Sequence, residues 1–185
     1  MISYWALILG LPLLALGGGA VFFFERTLRL LKGLQNSNAT AALLTVVAWI
    51  WTAYECDTIG IDVFDLGLKR FPGELWLLAF ILTILTILWM RPNLVVRSFS
   101  GILMLIPAEL FKVTRLLLPE SGFAAVHLFV VTAYIGAIIG MYGMFYPWRI
   151  KRAMGWVFAR RARALAFGFI CALWGLSLIL IGFTL

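Results

Sequence analysis

SFSGILMLIPAELFKVTRLLL, residues 98–118, is the stretch on which the reading of this chain turns. A helix needs about 20 mostly apolar residues to cross a bilayer, and this segment is that long. Yet it carries Glu109, Lys112 and Arg115. Ionisable side chains at membrane depth are costly and rarely face lipid, so these three require partners. Read as a helix over residues 98–118, the segment places Glu109 halfway along. Lys112 then lies about 5 Å further out and Arg115 about 9 Å. The i, i+3 spacing keeps all three within one third of the circumference. Pro107 removes the amide that would meet the Leu103 carbonyl and is expected to bend the helix there.

The rest of the chain shows that the span is real. Of 185 residues, 64% are hydrophobic and 12% charged, with a mean hydropathy of +1.05. Soluble domains run at about 45–50% apolar and about 25% charged. Spans are expected over 3–24, 39–54, 72–90, 98–118, 123–146 and 164–183. The fold class is therefore all-α, a polytopic transmembrane helical bundle forming a single integral membrane domain over 1–185. Residues 1–5, MISYW, lack the basic start of a signal peptide, so the first span is read as retained. The net charge of +7 implies no nucleic acid, because the bases sit in short loops where membrane orientation accounts for them. Cys56 and Cys171 fall at different depths and are not expected to form a bridge.

Small and amphipathic stretches complete the architecture. Gly17, Gly18 and Gly19 in the first span leave room for close helix packing, as do Gly136, Gly140 and Gly143 on one face of the fifth. The opposite face of that helix carries His127, Val131, Tyr134, Ile138, Met141 and Phe145. Bases alternate with leucines from Glu25 to Leu34, and Met154 to Phe158 is also amphipathic, so both segments are read as interfacial. Asn38 is a plausible N-cap. Trp49, Trp51 and Tyr54 suit an aromatic belt. The second span is expected to exit at Glu55 into an acidic loop with Asp57, Asp62 and Asp65. Their spacing does not match an EF-hand, and no metal site is expected.

Charge sets the topology. One set of alternate loops holds Arg26, Arg29, Lys32, Arg91, Arg97, Arg149, Lys151, Arg152, Arg160, Arg161 and Arg163 against the single acid Glu25. The other side holds seven acids and only Lys69, Arg70, Lys112 and Arg115. The positive-inside rule then puts both termini on the outer side of a bacterial-type inner membrane.

The unusual groups collect in the outer half. They are Glu109, Lys112 and Arg115, with His127 on the fifth span and Glu55 and Asp57 closing the second. Glu109 is expected to pair with Lys112, and Glu55 or Asp57 with Arg115. His127, behind Gly122, Ala124 and Ala125, resembles the small-residue-plus-histidine pattern of bacterial antenna helices. The likeness covers fewer than ten residues and implies a tetrapyrrole. Walker, dinucleotide and nucleophile-elbow motifs are absent, and a single histidine excludes a di-haem arrangement.

Three functions follow as expectations. The first is a small integral subunit that packs into a larger membrane complex of the energy-transducing or pigment- or quinone-containing kind, with lipid, tetrapyrrole or quinone as cofactors and with other subunits or a homo-oligomer as partners. The second is a small ion- or proton-coupled transporter using Glu109, Lys112 and Arg115. The third is an outer-leaflet lipid or quinone enzyme using His127 and Glu109.

Overall fold

A computed structural model of the chain describes residues 2–59, 73–89, 93–117 and 123–184. These form the α-helices α1 Ile2–Phe22, α2 Phe24–Asn36, α3 Asn38–Ile59, α4 Glu74–Trp89, α5 Leu94–Leu117, α6 Phe123–Phe145, α7 Pro147–Phe158 and α8 Arg161–Thr184. Five of them, α1, α3, α5, α6 and α8, are long and apolar enough to span a membrane, and α4 is a shorter apolar helix. The protein is a multi-pass, all-α membrane bundle.

Helices α1 and α8 pair antiparallel along a seam of small residues. The buried stripe on α8 is Ala164, Gly168, Cys171, Gly175, Leu178 and Gly182, alternating steps of four and three as a heptad seam does. It faces Ala6, Gly10, Gly17 and Ala20 of α1. A Cβ on Gly17 would stand 2.5 Å from both the Ala172 nitrogen and the Gly168 oxygen. The backbones touch because neither helix interposes a side chain. Of the run Gly17-Gly18-Gly19, only Gly17 joins this seam. A Cβ on Gly18 would meet open space, and one on Gly19 would meet Thr27. Consecutive helical residues point about 100° apart, so three in a row cannot share one packing face. Gly18→Ala is accordingly expected to leave thermal stability unchanged or slightly raised, since alanine is the better helix former. A melting curve in detergent checks this.

Helices α5 and α6 also run antiparallel. A Cβ on Gly140 would stand 2.7 Å from the Ser100 oxygen, and Gly143 abuts the Ser100 side chain. Gly136 faces the Leu103 carbonyl, the acceptor that Pro107 leaves without an amide partner. Helix α5 nevertheless runs unbroken through Pro107.

Helices α3 and α5 are parallel. The Thr45 and Ser98 hydroxyls hydrogen-bond at 2.7 Å near the start of both, and Glu55 meets Lys112 near their ends. Trp49 Nε1 donates to Thr86 Oγ1 at 3.1 Å and fixes α4 against α3. Trp174 Nε1 donates to Thr132 Oγ1 at 2.9 Å and ties α8 to α6. Such interhelical bonds in membrane proteins average about 0.6 kcal/mol. Thr45→Val should therefore lower the unfolding free energy only by about that amount, as a small melting shift.

The two ends of the bundle differ. One end holds the main core, where Ile2 and Ala6 of α1 meet Leu110 and Val113 of α5, Phe129 and Ala133 of α6 and Leu178 of α8. At the other end the amphipathic α2 and α7 pack their apolar sides, Phe24, Leu28, Leu31, Met154 and Val157, around Ala20, Phe158 and Ala164. Arg26, Arg29, Lys32, Arg149, Arg152, Arg160 and Arg161 are exposed around that end. Toward it Ile135, Ile139 and Tyr142 of α6 and Phe167 and Ile170 of α8 are exposed.

Several boundaries differ from expectation. Helix α3 continues through Glu55 and Asp57 to Ile59, so both acids are helical rather than in a loop. Ser37, not Asn38, caps α3: its backbone is extended and its Oγ accepts the Thr40 amide at 3.2 Å. Helix α5 starts one turn early, at Leu94, which puts Glu109 about two thirds of the way along it. The acidic residues Asp62 and Asp65, together with Lys69, Arg70 and Arg91, lie outside the described residues.

Candidate functional site

The parallel register of α3 and α5 determines which charges meet. From the Thr45–Ser98 pair, Glu55 lies ten residues along α3 and Lys112 fourteen along α5. Helical side chains lean toward the N-terminus of their helix. Lys112 therefore reaches back along α5, to the level of Glu55 and of its own Glu109 one turn earlier.

Lys112 Nζ donates to Glu55 Oε2 at 2.8 Å and to Glu109 Oε1 at 2.8 Å. The other oxygen of Glu55, Oε1, accepts Trp51 Nε1 at 3.0 Å. Trp51 is itself stacked on Trp5 of α1, with ring centroids 6.2 Å apart. The side chain of Glu55 is 5% exposed, that of Glu109 22% and that of Lys112 47%. The cluster thus has a closed inner side of Trp51 and Glu55 and an open outer side at Lys112. Leu110 and Val113, both buried, lie on the α5 turn that carries it.

Lys112 does not snorkel toward the C-terminal end of its helix, the direction in which a solvated lysine would point. It is drawn inward by two carboxylates. Each lies 2.8 Å from the same nitrogen. With all three ionised the cluster carries one uncompensated negative charge. One proton bound to either carboxylate would remove that imbalance. The arrangement suits binding, holding and exchanging a proton.

The structure brings Glu55, Glu109 and Lys112 together. The other sequence candidates stand around them. Arg115 is exposed one turn further along α5, Asp57 is exposed on α3, and His127 is half-buried on α6. The expected partnership of Glu55 with Arg115 gives way to Lys112, because parallel packing levels Glu55 with the earlier turn. Gly122 and the side chains of Ala124 and Ala125, which carried the pigment-like pattern, fall outside the described residues. Among the described residues no three His, Cys, Asp or Glu side chains converge as a metal would require.

Trp51 was missed as a site residue, being read only as part of an aromatic belt. The signal was its i, i+4 spacing to Glu55, which lets an indole N–H reach a carboxylate on the same helix face. Searches against protein-family models, curated proteins and solved structures find no match to this chain.

Proposed function

We propose that this is an inner-membrane protein crossing the bilayer six times, with the start of α1 and the end of α8 facing outward, and that it works as a small proton-coupled carrier. The observation that carries the reading is the shared lysine: two carboxylates from two parallel helices converge on Lys112 Nζ. A proton held there is exchangeable through the open Lys112 side.

The crossing count follows from helix direction. Helices α3 and α5 point the same way, so the chain between them must return across the membrane. Helix α4 is the apolar helix available for that return, and its 16 residues cover about 24 Å of the about 30 Å hydrocarbon core. Six crossings bring the exposed bases of α2, α7 and the α7–α8 corner to one side, the cytoplasmic one by the positive-inside rule. The carboxylate cluster then lies in the outer half. The main buried core, shared by α1, α5, α6 and α8, lies at this same end.

One observation favours a second reading, a subunit of a larger complex. Helix α4 packs on α3 and presents Leu77, Phe80, Leu88 and Trp89 outward. An outer-leaflet enzyme acting through His127 and Glu109 draws less support, because Glu109 is engaged by Lys112.

The carrier reading is tested in vesicles loaded with a pH-sensitive dye, containing only the purified chain and driven by an imposed potassium potential. Wild type should acidify the lumen, and Glu109→Gln, which leaves a balanced Glu55–Lys112 pair, should slow this at least tenfold. Equal rates for the two proteins would reject proton coupling at this site.

A further inference from the structure

Where α1 ends and α2 turns back along the interface, the two helices leave a groove of about 390 Å³, within the about 300–1,000 Å³ range of small-molecule sites. Its floor is Ala15, Leu16 and Gly19 of α1, and its upper wall is Thr27 and Leu30 of α2. Arg26 is the charged residue in the lining, and its guanidinium lies over the Phe23 ring at 5.9 Å. Gly19 shapes the groove, since a Cβ there would stand 2.7 Å from Thr27 Oγ1 and push α2 away.

The groove is ordered along the membrane normal. Ala15 lies seven residues before the end of α1, about 10 Å toward the bundle centre, and is apolar. Arg26 lies on the amphipathic helix beyond that end. Cation above and apolar floor below is the order of a phospholipid's phosphate and acyl chain. The sign of the charge selects the headgroup: α2 carries Arg26, Arg29 and Lys32 against Glu25, and bases on an interfacial helix draw anionic lipid. We infer that the α1–α2 groove binds one anionic phospholipid, an acyl chain along Ala15 and Gly19 and the phosphate against Arg26.

The test uses the full chain in detergent, offered phosphatidylglycerol or phosphatidylcholine and followed by native mass spectrometry. Three exposed positions are changed, so the fold is not at stake: Arg26, Ala15 and Arg29. Wild type should retain one phosphatidylglycerol in preference to phosphatidylcholine. Arg26→Gln should weaken that retention roughly fivefold, the factor for one interfacial base. Ala15→Trp should abolish it by filling the groove. Arg29→Gln, outside the lining, should stay within twofold of wild type. Equal losses from Arg26→Gln and Arg29→Gln would show diffuse surface attraction and overturn the site. Undiminished retention by Ala15→Trp would equally overturn it, because no chain would then occupy the groove.

Discussion

Lys112→Met is expected to lower the unfolding free energy by about 1 to 3 kcal/mol, the cost of leaving one buried carboxylate without its cation. The loss does not come from the lysine's own contacts alone, since its side chain is 47% exposed. It comes from what is left behind: Glu55, 5% exposed, keeps only the Trp51 indole, with Glu109 close by. Two adjacent carboxylates without a cation repel each other and cannot both be hydrated. Adding Glu55→Gln and Glu109→Gln to Lys112→Met should restore most of the lost stability, because a neutral cluster has no charge to strand. Glu109→Gln alone should cost about 1 kcal/mol or less, since it removes the surplus charge and leaves the Glu55–Lys112 pair intact. Thermal unfolding of the purified protein in one detergent ranks these variants. A Lys112→Met protein as stable as wild type would mean that both carboxylates reach water.

The second large effect belongs to the α1–α8 seam. Gly175→Leu is expected to cost about 3 kcal/mol or more, at the upper end for overpacking. Even a Cβ at Gly175 would stand 2.7 Å from the Gly10 oxygen and 2.9 Å from the Leu14 nitrogen. Those atoms are backbone and cannot swing aside as a side-chain tip can, so the helices must separate. Separation also spoils the core in which Ile2, Ala6 and Leu178 are packed against α5 and α6. The control is Gly18→Leu on the open side of α1, expected to change stability by about 0.5 kcal/mol or less, as surface substitutions do. Equal shifts for the two variants would show that α1 and α8 are not in backbone contact.

The membrane class, five long apolar helices and the two amphipathic helices were legible because they rest on hydropathy and amphipathic period, which are local properties. The Glu109–Lys112 pair was legible for the same reason, as an i, i+3 spacing on one helix. Glu55 was harder. Its partner lies 57 residues away, and finding it requires knowing that α3 and α5 run parallel with a particular register. Hydropathy is silent on register, which here is associated with the Thr45–Ser98 hydroxyl pair. The end of α3 was misplaced because Glu55 and Asp57 look like loop residues. A helix continues through such acids when one of them is buried and bonded.

The α1–α8 seam was visible but unread. Gly168, Gly175 and Gly182 recur every seven residues, a longer period than the four-residue Gly136–Gly140 spacing or the Gly17–Gly19 run. A seven-residue repeat of glycine marks an antiparallel or parallel seam as surely as a four-residue one does, because both return to the same helix face.

The proposed carrier function requires a proton that exchanges at the cluster of Glu55, Glu109 and Lys112. The direct measurement is infrared difference spectroscopy of the purified protein across a pH titration, reading the carbonyl band of protonated carboxylic acid. The account predicts a band of one carboxyl group that appears and disappears in wild type and vanishes in both Glu55→Gln and Glu109→Gln, with helix content unchanged. A titration with no such band, or one that persists in both variants, would contradict it and leave the cluster as a fixed ion pair holding α3 against α5.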